Sequence, residues 1–272
     1  MELKGKNAIV TGAARGIGRG IALKLAAAGA NIALVDMGNP ADKALTYNLA
    51  AQTDLLKTVE EVKALGVKAI PVLADVTKFA DCQRMAEETA SAFGGVDVLV
   101  ANAGIIAVGL VADFPEEQWD RVMDVNAKGP FLCAKAVIPY LTRRKEGAII
   151  NTASIAGKRG RAGAAAYCAS KFAVVALTQA LAEELGYANI RVNAVCPGFL
   201  RTAMWTEVLN KVPGLLGMAS GDVDNLTHIS RTGTFLGREQ TPADIGDAVV
   251  YLAQADNVTG VALNVAGGAE LH

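Results

Sequence analysis

Residues 7–36 limit the possible folds of this chain more than any other stretch. A short apolar run, Asn7-Ala8-Ile9-Val10, enters Thr11-Gly12-Ala13-Ala14-Arg15-Gly16-Ile17-Gly18 and then a helical pattern to about Ala28. Gly29 ends that pattern, and Asn31 to Val35 forms a second short run closed by Asp36. Runs of this kind, apolar without alternation, belong to strands buried on both faces of a parallel sheet. Strand, glycine turn, helix and strand together make a dinucleotide-binding unit. Its glycines let the backbone approach a pyrophosphate, which the helix N-terminus meets with free N–H groups and its positive dipole end. Gly12, Gly16 and Gly18 follow the spacing Gly-x-x-x-Gly-x-Gly, with Arg15 and Ile17 in the same turn. A glycine-rich turn alone says little; placed between this strand and this helix, it predicts a bound cofactor.

Asp36 sets the expected cofactor. An acidic residue about 20 positions beyond the glycines accepts hydrogen bonds from the adenosine ribose hydroxyls and repels a 2′-phosphate. Met37 follows and brings no cation. Arg15 argues the other way, since it could reach a 2′-phosphate, and Asp36 could also be an ordinary strand-end turn residue. NAD is expected, with NADP as the alternative.

The same alternation continues. An irregular polar segment from Gly38 to about Thr53 precedes a helix that Asp54 could cap and Gly66 stops. Strands follow at Lys68 to Leu73, Val96 to Ala101, Ala148 to Thr152, Ile190 to Val195 and Val261 to Val265. Helices are expected at about Lys78 to Phe93, Glu117 to Arg143 and Ala164 to Leu185. This order predicts an α/β fold: a Rossmann-type, doubly wound, parallel seven-stranded sheet with helices on both faces, in one domain spanning 1–272. The cofactor part would cover about 1–150, and the catalytic part about 151–272. Ligands of such sheets bind beyond the carboxyl ends of the strands, where Asp36, Asp75, Asn102, Ser154 and Pro197 all fall.

Tyr167-Cys168-Ala169-Ser170-Lys171 places a phenol and an ammonium four residues apart, on one face of a helix. Tyrosine titrates near 10, and a neighbouring cation favours its phenolate. Such a pair suits proton exchange in a carbonyl/alcohol interconversion, although long helices carry it by chance as well.

Composition closes off other functions. The chain has two histidines, His228 and His272, so a Ser-His-Asp hydrolase or a histidine-rich metal centre is not expected. Cys82, Cys133, Cys168 and Cys196 form no C-x-x-C, so neither a disulfide framework nor a zinc site is indicated. A net charge of −1 without blocks of like charge points to no nucleic acid and no anionic membrane. The N-terminus has no signal-peptide pattern and no run of eighteen apolar residues is evident, so the cytosol is the expected compartment.

Taken together, Thr11-Gly12-x-x-x-Gly16-x-Gly18, Asp75-Val76, Asn102-Ala103-Gly104, Asn126, Ser154, Tyr167-x-x-x-Lys171 and Pro197-Gly198 resemble the short-chain dehydrogenase/reductase family, in its order and spacing, over essentially the whole chain. The resemblance implies an NAD(P)-dependent enzyme acting on a CH–OH group of a small alcohol or ketone. Tyr167 would be the general acid/base, and Lys171 would lower its pKa and bond the nicotinamide ribose. Ser154 would hold the substrate oxygen. Asn126 would hold a water linking Lys171 to solvent, or be merely a bent polar helix position. Asp75 would meet the adenine amino group with Val76 on the ring, and Asn102-Ala103-Gly104 would approach the adenosine ribose. Leu200 and Thr202, after Pro197-Gly198, would bind the carboxamide. The family's pairing through its two long helices implies a homotetramer.

Between Asp36 and Asp75 the chain exceeds the family's usual spacing by about a dozen residues, one compact loop's worth. With Tyr47-Asn48-Leu49, Asp54-Leu55 and Thr58-Val59, this insertion is similar to that of the mycofactocin-associated branch. There it is thought to cover the adenine end and keep the cofactor from exchanging; a plain surface loop is the other reading. The C-terminal third does not resemble that branch. The segment from Thr202 to about Gly237 occupies the family's substrate-lid position, with Met204, Trp205, Leu209, Leu215, Leu216 and Met218 as an apolar cover or as simple core. Lys158, Arg159 and Arg161 could attract an anionic substrate or form a solvated loop. The expected substrate is a secondary alcohol, a polyol or the matching ketone. The alternatives are an NADP-dependent ketone or 3-ketoacyl reductase, an enzyme with a non-exchanging cofactor, and a cofactor-sensing protein without turnover.

Overall fold

The computed structural model describes residues 1–39, 41–208 and 224–272. Seven strands, β1 (Asn7–Thr11), β2 (Asn31–Asp36), β3 (Ala69–Leu73), β4 (Val98–Ala101), β5 (Gly147–Thr152), β6 (Ile190–Pro197) and β7 (Ala262–Val265), form one sheet. Their order is β3-β2-β1-β4-β5-β6-β7, and every neighbouring pair is parallel. β1 pairs with both β2 and β4, so successive strands run outward in opposite directions from this point. A crevice opens there beyond the strand ends.

Side chains alternate across the pleat and feed two cores. Ile9, Ala33, Val35, Leu99, Ile149 and Val192 face α3 (Phe79–Phe93), α5 (Gly129–Arg144) and α6 (Ala165–Leu185). Ala8, Val10, Ile32, Leu34, Val98 and Ile150 face α1 (Gly16–Ala27), α2 (Gln52–Lys63) and α8 (Pro242–Gln254). Burial on both faces is the reason these strands lack polar alternation. The molecule is a single doubly wound domain.

Two expectations need correction. Asp54 is not the cap of α2 but its third residue, where Oδ2 accepts the Ala51 N–H at 2.9 Å. The helix expected from Glu117 to Arg143 is two helices, α4 (Glu116–Met123) and α5, joined by a π turn at Asp124–Lys128. Pro130 is the cause: it has no N–H for the carbonyl of Asn126, four residues earlier. Ala165–Ala188 passes for a membrane span by length and composition, although Lys171 interrupts it so that it holds no run of eighteen apolar residues. Here it lies against β6 as a core helix, with Lys171 buried in it. The described residues end the apolar cover early: Leu209, Leu215, Leu216 and Met218 lie outside them. Met204 and Trp205 belong to a π turn, Met204–Val208, and α7 (Asn225–Gly233) follows the undescribed stretch.

Candidate active site

The turn between β1 and α1 can close only with glycine. Gly12 has φ +65°, and a Cβ there would fall 2.8 Å from the Ala103 Cα; at Gly18 it would fall 2.0 Å from the Gly12 carbonyl oxygen. The Thr11 hydroxyl accepts the N–H groups of Asn102 and Ala103, both at 3.0 Å, and Asn102 Nδ2 donates to Thr11 O at 2.9 Å. Arg15 at the N-cap makes no side-chain capping bond, and no acidic residue stands in the first turn of α1. The opening N–H groups are thus left for an anionic ligand, and the turn fits the pyrophosphate of a dinucleotide.

Asp36 closes β2 beside this turn. Its Oδ2 accepts the Ala14 N–H at 3.1 Å and its Oδ1 the Met37 N–H at 2.9 Å. Burial pushes its pKa up, and these backbone bonds only partly offset that. Arg15 is engaged elsewhere: Nη2 donates to the carbonyl of Asn48 at 2.7 Å. At Asp75, burial opposes ionisation, yet the hydroxyl and N–H of Thr77 hold the pKa below the usual carboxylate value.

The 38–53 insertion is not a plain surface loop. Tyr47 is 9% exposed, and its phenol oxygen accepts the Ile106 N–H at 3.1 Å. Around it pack Ile106, Val208, Leu45, Leu49, Met204 and Tyr167. Asp42 pairs with Arg121 of α4 at 2.8 Å, and Asn48 O accepts from Arg15 Nη2 in the glycine turn at 2.7 Å; beyond the segment, on α2, Thr58 Oγ1 donates to Ala14 O at 2.9 Å. The segment therefore crosses the crevice as a strap, tied to the glycine turn, to α4 and to the segment after β4.

Ser154, Tyr167 and Lys171 line the same cavity, of about 820 Å³, as the glycine turn and Asp36. So do Gly12, Arg15, Gly16, Ile17, Gly18, Met37, Asp75, Val76, Asn102, Ala103, Gly104, Pro197, Gly198, Leu200 and Thr202. That volume lies near the upper end of small-molecule sites, as one cleft for a dinucleotide and a second reactant requires. Asn126 stands behind the wall, fully buried. Its Oδ1 accepts the Ile105 N–H at 2.9 Å, while Nδ2 donates to Ile105 O at 2.9 Å and to Ser170 Oγ at 3.1 Å.

Burial dominates the electrostatics of the two central groups. Burial pushes the Tyr167 phenol up to about 12, against a lowering influence from the Ser154 hydroxyl. Burial pulls Lys171 down to about 8. Its ammonium lies 5.6 Å from the Tyr167 ring centre and donates to Thr152 O at 2.8 Å. Desolvation is the largest influence on each group, and it disfavours the charged form of both. Both groups remain protonated at neutral pH.

At the far end the cavity is walled by Phe199, Met204, Trp205 and Ile229, with Arg159, Arg161 and Glu270 also lining it. Sequence reasoning named Tyr47 only as part of the insertion thought to cover the adenine end, and it missed Arg121, Ile229 and Glu270 as cavity residues. A large aromatic in an otherwise polar segment was the signal for Tyr47; nothing local marks the others, which arrive through long-range packing.

The family model for short chain dehydrogenase matches residues 6–213. The chain is 40% identical over 265 residues to a 3-oxoacyl-[acyl-carrier-protein] reductase of Staphylococcus epidermidis, covering 97% of this chain and 98% of that one. It is 36% identical over 273 residues to the (2S)-[(R)-hydroxy(phenyl)methyl]succinyl-CoA dehydrogenase subunit BbsD of Thauera aromatica, covering 100% and 99%. Among solved structures, carveol dehydrogenase from Mycobacterium avium in complex with NAD superposes with a TM-score of 0.92 at 30% identity, covering 98% of each chain. An NAD+-bound xylitol dehydrogenase gives 0.87 at 32% identity, covering 98% of this chain and 100% of that one.

Proposed function

The chain belongs to the short-chain dehydrogenase/reductase family, and on that footing we propose that this oxidoreductase interconverts a secondary alcohol or polyol and the matching ketone with NAD(H). The observation that carries this reading is the meeting of Ser154, Tyr167 and Lys171 with Asp36 and the glycine turn along one cavity. NAD, when bound, gives or takes the hydride. The protein handles the proton and the geometry. Tyr167 exchanges its phenolic proton with the substrate oxygen, which the Ser154 hydroxyl holds in place. Lys171 sets its cation beside that phenol and reaches for the nicotinamide ribose, and Asn126 braces the helix that carries both through Ser170. Asp75 and Val76 take the adenine, Asn102-Ala103-Gly104 the adenosine ribose, and Leu200 and Thr202 the carboxamide. Asp36 favours NAD, since the nearby Arg15 is bound to Asn48 O rather than free for a 2′-phosphate. The NAD complexes among the similar structures support the same choice.

The 3-oxoacyl reductase relatives favour running the reaction towards the alcohol, which a phenol protonated at neutral pH also suits. A separate observation, the strap through Asp42, Tyr47 and Asn48, favours a cofactor that exchanges slowly or not at all. Phe131 on α5 and Phe172 on α6 are each 46% exposed and support pairing of these helices in a homotetramer in the cytosol. A monomer in sedimentation at micromolar concentration would refute that assembly.

The decisive assay is a panel of secondary alcohols and polyols with added NAD, read by NADH absorbance and, in parallel, with a redox dye. NADH formed with one chemical group and lost in Tyr167→Phe supports a freely exchanging dehydrogenase. Dye reduction without NADH release supports the retained cofactor. No turnover in either arm, or in reverse with ketones, would overturn the reading.

A further inference from the structure

Four arginines line the cavity, and they fall into two pairs. At the cofactor end both are engaged: Arg15 with Asn48 O, and Arg121 with Asp42. At the substrate end Arg159 and Arg161 have no ion pair and no side-chain hydrogen bond among the described residues, and both are exposed. Their neighbour Lys158 is taken up structurally, donating to Ala262 O at 3.0 Å. Glu270 is the one carboxylate lining this end among the described residues. Its Oε1 accepts the N–H groups of Leu271 and His272, and the Arg159 charge also helps to hold its pKa down, although no salt bridge within 4 Å joins the two.

The loop that carries the two arginines is fixed rather than loose. It runs from Ser154 to Tyr167, so both ends are anchored at the reacting groups. Arg159 N donates to Ile155 O at 3.2 Å, and Ala164 N donates to Arg161 O at 3.2 Å. Gly109 N donates to Gly163 O at 2.9 Å, which ties the loop to the segment after β4. Two exposed arginines without side-chain hydrogen bonds, carried on a backbone-fixed loop, thus line a cavity that Phe199, Met204, Trp205 and Ile229 also line. The Trp205 indole N–H is buried and lacks a partner among the described residues.

From this we infer that the enzyme's substrate is an alcohol or ketone with an apolar body and an anionic group, a carboxylate or a phosphate, which Arg159 and Arg161 receive at the mouth of the cavity. The inference rests on the proposed dehydrogenase reading and names its substrate class. Guanidinium suits both anions because its planar fork donates two parallel hydrogen bonds. The apolar wall takes the body of the molecule, and the reacting oxygen lies at Ser154 and Tyr167.

The test uses three probes with the full-length enzyme: benzylacetone, its para-carboxylate, and acetoacetyl-CoA. Wild type should prefer an anionic probe to benzylacetone in kcat/KM, and that preference should shrink as salt is raised. In Arg159→Gln/Arg161→Gln the preference should fall roughly tenfold, through KM rather than kcat, and the double lysine variant should restore part of it. Loss confined to the carboxylate assigns a free acid, and loss confined to acetoacetyl-CoA assigns a phosphate-bearing thioester. Equal effects on charged and neutral probes, or none, would overturn the inference. Should no probe turn over, binding of the carboxylate measured by tryptophan fluorescence still decides. Binding weakened by the double glutamine variant keeps the anion site while the dehydrogenase reading falls, and unchanged binding rejects the site.

Discussion

The phenol oxygen of Tyr47 accepts the backbone N–H of Ile106 at 3.1 Å, joining segments 59 residues apart across the mouth of the cofactor crevice. Tyr47→Phe keeps the ring and removes the acceptor. A buried N–H left unpaired costs about 1–3 kcal/mol, so the melting temperature should fall by several degrees. Cofactor release, followed by stopped-flow fluorescence, should quicken in the same variant. An unchanged melt together with unchanged release would mean that the strap contributes nothing.

Lys171 and Tyr167 predict a definite pH profile. Oxidation needs the phenolate with the lysine still charged, and reduction needs both groups protonated. The kcat/KM for the cofactor reports the free enzyme. In reduction it should be flat below about pH 8 and fall above it, as Lys171 loses its proton. In oxidation it should rise to about pH 8 and then level, because above that point each proton lost from Tyr167 is matched by one already lost from Lys171. The break belongs to the coupled pair rather than to either residue alone.

Stability should follow the same lysine. Its pKa is lower in the folded chain than the ordinary 10.5, so the unfolded chain binds more protons between about pH 8 and 10.5. Stability therefore rises with pH through that window, by at most on the order of 1 kcal/mol per pH unit from this group. Lys171→Met should flatten the rise in urea melts while reducing activity by about a hundredfold or more. Tyr167, raised to about 12, acts in the opposite sense, since its contribution is lost as pH climbs from about 10 to 12.

Asp36→Ala should lower kcat/KM with NAD and raise the NADP-to-NAD ratio about tenfold or more, as the repulsion of a 2′-phosphate is removed. Asp36→Asn, which keeps an acceptor for the Ala14 N–H, separates that effect from damage to the turn. An unchanged ratio in both variants would remove the basis for NAD.

Gly18→Ala places a Cβ 2.0 Å from the Gly12 carbonyl, with Asn102 Nδ2 only 2.6 Å away. The turn must open to accept it, so NAD affinity measured by calorimetry should collapse and the melting temperature should drop. Gly66→Ala, where a Cβ meets nothing within 4 Å, should cost less, and only through its φ of +82°.

Much of this was legible from the sequence. Short apolar runs alternating with helical patterns fixed the order of the elements, because a strand buried on both faces has no polar side to show. Glycine spacing placed the turn, since no other residue allows Gly12 and Gly18 to approach Asn102 and Ala103. Tyr167 and Lys171 share a face by helical geometry alone. Tertiary structure decided the rest. Whether Arg15 is free or bound depends on Asn48, and whether the 38–53 segment is surface or strap depends on Ile106 and Arg121; both are contacts between distant segments that no local pattern encodes. The directions in which Tyr167 and Lys171 titrate were likewise hidden, because they follow from burial, which no single stretch of sequence reports.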